Sequence, residues 1–437
     1  MKKYTVSIRI LLFFSVFLVG VFRSAHAALE LELTQGSGNA IPIAILPFAV
    51  DATDNKVADN AKKLTALIDK DLQNSGRFNL LSIPNEAQAR ESVDYDFWRA
   101  RKAENIITGM VKSDGNKYQI AFQLHDVYGQ TVLVNQSYTI TDTELRKLAH
   151  RISDVIYEKL IGIPGIFSTK IAYVLVQNLG SSNPRYSLVV ADADGYNPQT
   201  LFTSNEPIMS PAWSPDGKQI AYDSFEGKRQ AIYVQDVATG SRNVIAKSPG
   251  INAAPAWSHD GSKMAIVLST SGEPKIYIFD LATKQLRAIT SGESLDTEPN
   301  WGPNHAYLIF TSSRSGNAQI YKVDPVSGQV DRVTYQGKSN ARGTLSADGK
   351  TLVMFHQDED LFTIAVQDMA SGQVTNLTKI GSSESPSLAP NGNMVVYATN
   401  HNGRGMLAEV SIDGKVKLYL PVQEGEVRDP AWGPCIK

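Results

Sequence analysis

The sequence predicts two domains of different fold class, an α+β N-terminal domain (small mixed α/β) followed by an all-β six-bladed β-propeller. Three observations predict this division. The chain has 437 residues, more than one hydrophobic core usually organises. Its first part alternates strand-like and helix-like segments, whereas from Ile166 onward one phrase returns at a nearly constant interval. A change of pattern of this kind indicates a domain boundary.

Composition excludes several classes of protein. A hydrophobic content of 42% excludes disorder throughout, and the balance of 42 Lys+Arg against 44 Asp+Glu leaves no basic field for binding nucleic acid. The one cysteine, Cys435, can form neither an intrachain disulfide nor a thiolate zinc site. We therefore expect packing to stabilise the fold.

The N-terminus has the pattern of a secretory signal peptide. Lys2, Lys3 and Arg9 precede an apolar run at 10–22, and Ala25-His26-Ala27 is a small-x-small cleavage pattern. The alternative is an uncleaved anchor, but a helix that spans a bilayer needs about 20 apolar residues, more than this run has. We expect residues 1–27 to be removed, and the chain from residue 28 to be periplasmic, without a lipid-bearing cysteine or a later transmembrane segment.

Residues 28–161 are predicted to form the first domain. Ile41–Val50 reads as a buried strand, and Val57–Leu72 has the apolar spacing of a helix. The next four predicted strands are Phe78–Ile83, Ile106–Val111, Tyr118–Leu124 and Thr131–Ile140. A last helix extends to Leu160, and Thr141 and Glu144 form its capping box. A linker at 162–167 follows, because Ile161-Gly162-Ile163-Pro164-Gly165 cannot continue a helix.

Residues 168–437 contain the repeat. Pro211-Ala212-Trp213-Ser214-Pro215-Asp216-Gly217 returns in full or in part five times. The marker residues are Trp213, Trp257, Trp301, Leu345, Leu388 and Trp432, at intervals of 44, 44, 44, 43 and 44 residues. Each unit reads as four short strands joined by tight turns. Four strands in about 44 residues are typical of a propeller blade, since each small sheet buries its faces against two neighbours.

The two ends of the repeat are complementary. The strands at Lys170–Val174 and Tyr186–Val190 have no Pro-x-Trp strand before them, and Trp432 has no strands after it. We expect Asp429–Trp432 to pair with the blade that begins near Thr169, which closes a ring of six blades and leaves no open edge.

No catalytic residue, metal site or cofactor site is predicted. The chain lacks the Gly-x-Ser-x-Gly elbow of hydrolases, and Asp192-Ala193-Asp194-Gly195 is too short for a calcium loop and reads as a hairpin turn. The six histidines that follow the signal peptide lack metal-ligand spacing, and we expect most of them in turns or at the surface. They are His125, His150, His259, His305, His356 and His401. A binding protein is the remaining class.

Two segments are candidates for binding. The stretches before the repeated Trp or Leu differ from blade to blade and open onto one end of the channel, so they are either a docking surface or solvated connectors. They are Glu206–Ser210, Gly250–Ala254, Leu295–Glu298 and Ser339–Arg342. The segment Leu29-Glu30-Leu31-Glu32-Leu33 alternates as a strand does. It is either an edge strand of the first domain or a strand that adds to another protein.

The chain resembles the TolB family, the periplasmic component of the Tol-Pal system of Gram-negative bacteria. The stretches that carry the resemblance are Pro211–Tyr222, Asn252–Trp257, Thr297-Glu298-Pro299 and Pro386–Gly392. The resemblance implies that the propeller docks the peptidoglycan-associated lipoprotein Pal through Asn252, Ala254, Thr297 and Glu298. It also implies that Leu29, Glu30, Leu31, Glu32 and Leu33 engage the C-terminal domain of TolA. Ile251 departs from the family pattern, which often has His there.

The family's role, as the resemblance implies it, is to link the inner membrane, peptidoglycan and outer membrane during cell division, in a system that some colicins parasitise. The chain alone would be a monomer that binds no nucleic acid. An alternative function is that of an exported propeller that binds a small ligand or a glycan in its central channel.

Overall fold

The computed structural model describes residues 30–33, 40–50, 55–84, 93–379 and 383–436. The predicted signal peptide at 1–27 and Leu29 lie outside these residues. Within them, no helix is both long and apolar enough to cross a membrane.

The first domain is a mixed sheet with two helices packed on one face. Its helices are α1 (Asn55–Asn74), α2 (Tyr95–Ala100) and α3 (Leu145–Ile161), with a 3₁₀ turn at Asp142–Glu144. Its strands are β2 (Ile41–Ile45), β3 (Ala49–Val50), β4 (Phe78–Leu80), β5 (Asn105–Asp114), β6 (Lys117–Asp126) and β7 (Thr131–Ile140). The sheet order is β4-β2-β5-β6-β7, and β3 extends the edge beside β5. Strands β2, β3 and β4 run parallel to their partners, whereas β5, β6 and β7 are antiparallel.

Two details of this domain differ from the sequence prediction. The predicted strand Ile41–Val50 is two strands, because Pro47 in the interval between them has no N–H to donate to the sheet. Helix α2 was not predicted. Asp94 caps it by accepting a hydrogen bond from Phe97 N (2.9 Å), and its Trp98 is buried in a small cluster beside the sheet.

The second domain is a six-bladed propeller, as the sequence predicts. Blade I contains β8 (Lys170–Gln177), β9 (Arg185–Asp192), β10 (Gln199–Ser204) and β31 (Glu426–Trp432). Blade II contains β11 (Ile208–Trp213), β12 (Gln219–Ser224), β13 (Ala231–Asp236) and β14 (Arg242–Ala246). Blade III contains β15 (Asn252–Trp257), β16 (Lys263–Leu268), β17 (Lys275–Asp280) and β18 (Leu286–Ala288).

Blades IV to VI repeat this arrangement. Blade IV contains β19 (Asp296–Trp301), β20 (Leu308–Ser312), β21 (Gln319–Val323) and β22 (Val330–Arg332). Blade V contains β23 (Ser339–Leu345), β24 (Thr351–Asp358), β25 (Leu361–Asp368) and β26 (Val374–Asn376). Blade VI contains β27 (Glu384–Leu388), β28 (Met394–His401), β29 (Arg404–Ser411) and β30 (Val416–Tyr419). All pairs within the blades are antiparallel.

The ring closes through the C-terminal strand. Strand β31 pairs antiparallel with β8 as the inner strand of blade I, with Trp432 opposite Ile171. The indole of Trp432 donates to Thr169 Oγ1 (2.8 Å), and Gly433 N donates to Lys170 O (2.7 Å). The last strand in sequence therefore completes the first blade.

The repeated tryptophan joins blades II, III and IV each to the blade before it. Trp213 Nε1 donates to Ala431 O, Trp257 Nε1 to Ala212 O, and Trp301 Nε1 to Ala256 O, at 3.0–3.1 Å. A buried indole N–H needs such an acceptor. Each of these bonds therefore satisfies the indole donor and also connects two neighbouring inner strands. Because leucine has no N–H, the two blades with Leu in this position cannot form the same bond.

The N-terminal strand β1 (Glu30–Leu33) lies on the propeller and not on the first domain. It pairs antiparallel with β30, the outer strand of blade VI, with Glu30 opposite Tyr419 and Leu33 opposite Val416. The expectation of an edge strand in the first domain is therefore wrong for this segment. An outer blade edge offers the unpaired backbone groups that such a strand needs.

A network of charged side chains connects the two domains. Arg146 of α3 bonds the carboxylates of Asp192, the last residue of β9, and Asp194, in the turn that follows. His150, on the same helix, bonds Asp71 of α1 (Nδ1 to Oδ2, 2.8 Å), and its Nε2 lies 3.9 Å from Asp194 Oδ2. Burial alone would lower the pKa of His150, but Asp71 and Asp194 raise it above its usual value. An imidazolium is thus favoured between the two carboxylates.

Three histidines disagree with the expectation of turns and surfaces. His125, His150 and His356 are each no more than 4% exposed, and each bonds a polar side chain. The expectation failed because a single histidine carries no periodic signal that separates a buried, hydrogen-bonded ring from an exposed one.

We predict that removing residues 426–437 opens the ring. Blade I would lose its inner strand and the buried Trp432, so the melting temperature should fall by roughly 10 °C or more, or the propeller should fail to fold. Differential scanning calorimetry measures this. Removal of 436–437 alone keeps β31 and should leave the melting temperature nearly unchanged, and a 426–437 deletion that melts like the full chain would contradict closure by this strand.

Candidate functional site

One residue in each blade has the left-handed backbone conformation at an equivalent place on the inner strand. These residues are Ser210, Ala254, Glu298, Arg342, Ser385 and Asp429, with φ values of 46–54°. The strand register shifts beside each of them, which is a β-bulge. Together they surround a cavity of about 150 Å³ at one end of the central channel. We call these six residues the channel mouth.

The channel mouth stores backbone strain. A non-glycine residue at positive φ costs of the order of 1 kcal/mol or more, and the surrounding structure must impose it. Six such residues around one cavity are a concentration of strain that is typical of binding sites. The bulges turn the backbone at the level where the inner strands begin.

Arg342 organises the charges of the mouth. Its guanidinium donates to Asp429 Oδ1 (2.7 Å) and Ser385 Oγ (2.7 Å), and its Nε lies 3.1 Å from Glu298 Oε1. Burial would lower the pKa of Arg342, but these carboxylates raise it. Burial would likewise raise the pKa of Asp429, but Arg342 lowers it. Both side chains are therefore charged at neutral pH, and with Glu298 and Ser385 they form a fixed arrangement across four blades.

A second acid lies directly behind the mouth. Asp223, at the end of β12, is wholly buried and accepts hydrogen bonds from Gln230 Nε2 (2.7 Å) and Ala254 N (3.4 Å). Burial raises its pKa to about 7, and the charge of Asp429 adds to the effect. The charge around the mouth therefore changes close to neutral pH.

Exposed apolar side chains stand on the loops around the mouth and at the strand ends beside them. Antiparallel pairing places the loops between second and third strands, and those that lead to the next blade, at the end where the inner strands begin. We call these loops the rim. The large apolar side chains exposed at this end are Leu179, Met209, Ile251, Leu295, Tyr335, Leu361 and Phe362. Apolar side chains grouped around a polar centre are typical of a surface that binds another molecule.

The first domain leaves the rim uncovered because it contacts the opposite end of the propeller. Arg146 meets the turn after β9, Tyr157 Oη accepts from Asn393 Nδ2 (3.1 Å), and Pro164 O accepts from Asn391 Nδ2 (2.9 Å). These turns follow the ends of inner or third strands, away from the mouth. The rim is thus accessible in the part of the chain that the structure describes.

The residues predicted to face Pal have different positions here. Ala254 and Glu298 belong to the channel mouth, and Thr297 is partly exposed beside it. Asn252 is wholly buried, and its side chain bonds Ser248 N, Ser248 O and Gly250 O at 2.7–3.1 Å. It holds the rim loop between β14 and β15 and does not itself reach the solvent. Ile251, next to it, is exposed.

Four residues of the mouth were not among the site residues predicted from the sequence. Ser210 and Arg342 were named only as the ends of variable segments, and Ser385 and Asp429 were not proposed at all. The signal that could have found them is the repeat itself. Ser210, Ala254, Glu298, Arg342, Ser385 and Asp429 each lie three residues before a marker Trp or Leu.

One group of side chains has the donor set of a metal site. Donor atoms of His150, Asp192 and Asp194 lie within 4.8 Å of one another, the one such group found among residues 40–50, 55–84, 93–379 and 383–436. The guanidinium of Arg146 already binds both carboxylates. Because these carboxylates are paired with a cation of the protein, we assign the group to domain docking.

A larger cavity, of about 820 Å³, lies between the two domains. Tyr157 and the end of α1 line one side, and blade VI lines the other through Glu409 and Leu418. Burial raises the pKa of Glu409 well above its usual value, which favours the neutral form of its carboxyl group.

Comparison with known proteins identifies both domains. The family model described as the TolB amino-terminal domain matches residues 29–133, and the model of the TolB beta propeller domain matches residues 157–436. Named relatives cover nearly the whole chain. The Tol-Pal system protein TolB of Coxiella burnetii is 56% identical over 418 residues, which are 94% of this chain and 95% of that protein. The protein of the same name from Legionella pneumophila strain Corby is 53% identical over 423 residues, 97% of this chain and 98% of its own.

A solved structure agrees with both findings. The crystal structure of TolB from Acinetobacter baumannii superposes with a TM-score of 0.83 at 41% sequence identity. The match covers 93% of this chain and 100% of the other.

We predict that Asp223 makes the stability of the propeller depend on pH. The raised pKa means that the folded protein binds this proton more tightly than the unfolded chain, whose Asp has a pKa near 3.8. The free energy of unfolding should therefore fall as pH rises from about 4 to about 7, by up to about 3 kcal/mol. Asp223→Asn should lack this fall. Denaturant unfolding at pH 5 and pH 8 measures the difference between wild type and variant.

Asp236→Asn is the control, since Asp236 lies in a turn at the opposite end and its turn hydrogen bonds lower its pKa. It should keep the pH dependence of the wild type between pH 5 and 8. An Asp223→Asn profile parallel to the wild type would exclude Asp223 as the titrating group.

Proposed function

The chain belongs to the TolB family of Tol-Pal system proteins, and we propose that it is an adaptor with two partners. The rim and channel mouth dock the lipoprotein Pal, and the N-terminal segment binds the C-terminal domain of TolA. Signal-peptide cleavage would release it into the periplasm. There it would support outer-membrane integrity and envelope constriction during cell division, and serve as an entry point for colicins.

The observation that carries the proposal is the uncovered rim around a polar mouth. Its exposed apolar side chains supply area that another protein can bury, and the fixed charges of Arg342 and Asp429 supply orientation. A largely preformed surface loses little conformational entropy on binding. Ala254, Thr297 and Glu298, three of the four positions that the family resemblance assigns to Pal, lie at or next to the mouth.

The N-terminal segment would bind TolA through its backbone and not through a preformed surface. Residues 30–33 are already paired with β30 through their backbone. Strand β1 is the edge of its sheet, so a strand of TolA can pair with its free side while β1 stays in blade VI. Pairing through the backbone groups that now bond β30 would instead require β1 to leave blade VI. In that second arrangement TolA and the propeller would compete for one strand, and the measured affinity for TolA would include the cost of releasing it.

The alternative, a small ligand or a glycan in the channel, is less well supported. The cavity at the mouth is about 150 Å³, whereas sites for small organic ligands are usually 300–1,000 Å³. A pull-down from an envelope extract discriminates the two functions. The adaptor retains a lipoprotein, whereas a ligand binder retains none and gains thermal stability from a small molecule.

We predict that Thr297→Arg weakens Pal binding without unfolding the propeller. The added bulk and charge would stand beside Glu298 on the docking surface, so the affinity should fall by 10-fold or more. Isothermal titration calorimetry with the soluble domain of Pal measures the affinity, and a thermal melt checks the fold. Gln285→Arg, at the opposite end of blade III, is the control and should bind as the wild type does. An unchanged affinity in Thr297→Arg would remove this part of the rim from the proposal.

We also predict that removing residues 28–33 from the mature chain abolishes capture of the TolA C-terminal domain. The propeller should remain folded, because β30 keeps its pairing with β29. A pull-down with the purified TolA domain measures capture, and circular dichroism checks the fold. Retention of TolA by the shortened chain would place its binding site elsewhere.

A further inference from the structure

Three consecutive blade interfaces contain a polar pair below the rim. The first member of each pair lies near the start of an inner strand. The second member lies near the start of the third strand of the preceding blade. The pairs are Asn252 with Gln230, Asp296 with Lys275, and Asn340 with Gln319. We call them the inter-blade bridges. Asn252, Asp296 and Asn340 are all 0% exposed.

Two bridges are neutral and hold the rim through amides. Asn252 N donates to Gln230 Oε1 (3.4 Å), while its side chain bonds the loop at Ser248 and Gly250. Asn340 Nδ2 donates to Gln319 Oε1 (2.9 Å) and to Gln336 O (2.8 Å) in the loop before it. In both cases one side chain fixes the loop that leads into the inner strand.

The bridge between blades III and IV is ionic. Lys275 is 3% exposed, its Nζ lies 3.6 Å from Asp296 Oδ2, and it donates to Ser294 O in the rim loop. Asp296 Oδ1 accepts from Ser312 Oγ (2.6 Å) and Arg314 Nη2 (2.9 Å). The loop that leads into β19 is therefore fixed by a buried ion pair, whereas the corresponding loops of blades III and V are fixed by amides.

The ionic bridge lies directly below candidate docking residues. Leu295, beside Asp296, is an exposed apolar residue of the rim, and Thr297 follows on the other side. Ser294 Oγ also donates to Asp296 Oδ1 (3.1 Å), so the loop is bonded to both members of the ion pair. Loss of Asp296 would leave Lys275 buried without a counter-ion, which is far less favourable than the pair or than two neutral amides. Loss of Lys275 would leave Asp296 paired only with the partly exposed Arg314, and would remove the hydrogen bond that holds Ser294 O.

We propose that Lys275 and Asp296 are positioning residues that fix rim segment 289–297 for docking, as an ionic replacement for the amide bridges on either side. The effect on partner affinity rests on the docking function proposed above, whereas the effect on the loop does not. Either single neutral substitution loosens the segment. Neutralising both members together reproduces the amide bridge of the neighbouring interfaces, and the segment should again be held in place.

Hydrogen exchange tests the loop directly. Asp296→Asn and Lys275→Gln should each speed exchange in segment 289–297 at least 10-fold and lower the melting temperature. In the double variant Lys275→Gln/Asp296→Asn, the exchange rate and the melting temperature should both return close to the wild-type values. Segment 247–251, fixed by Asn252, is the internal control and should exchange at the same rate in all four proteins. Wild-type exchange in Asp296→Asn, or a double variant as loose as the singles, would overturn the inference.

Calorimetry with the soluble domain of Pal separates the two levels of the proposal. Each single variant should bind Pal at least 10-fold more weakly, and the double variant should recover. If the wild type does not bind Pal while the exchange results hold, the proposed function fails and the positioning of the loop stands. If the wild type binds Pal and a loosened single variant binds equally well, the positioning role in docking is excluded.

Discussion

Closure of the ring is the constraint on which the rest of this structure depends. A four-stranded sheet of about 25 residues cannot bury both faces alone, so each blade is stable only between two neighbours. Strand β31 supplies the inner strand that blade I lacks. Indole bonds to the preceding inner strand are found at three of the six blades. Closure also sets the geometry of the mouth, because Asp429 on β31 is the partner of Arg342 from blade V.

Local chemistry made much of this fold predictable. The Ser-x-Asp-Gly phrase determines a turn, since Ser214 Oγ and Asp216 Oδ1 accept from Gln219 N and Lys218 N in the way that their counterparts do in other blades. The contacts between distant segments were not predictable. Arg342 and Asp429 are 87 residues apart, and only the completed ring brings them together. The alternation at 29–33 predicts a strand, but strand pairing with β30 is decided by which sheet edge is free.

The propeller is symmetric in backbone and asymmetric in chemistry. All six inner strands share the bulge and the positive φ, whereas the side chains at that position range from alanine to arginine. The polar pairs below the rim vary in the same way, from amides to an ion pair. A repeated scaffold thus gives every blade the same shape and leaves each free to present a different group. Because the side chains differ from blade to blade, such a scaffold can present a surface that binds its partner in one orientation.

The order of the paired strands along the chain has a consequence for biogenesis. A ribosome produces β8 and β9 about 240 residues before β31, so blade I has an unpaired inner edge until β31 is made. The pairing of β31 with β8 cannot form until β31 has left the ribosome, and a chain exported N-terminus first would begin to cross a membrane before its ring could close. Late closure of the ring leaves the nascent chain unfolded enough to cross a membrane. It also makes chaperone protection of that open edge important while the chain is unfinished.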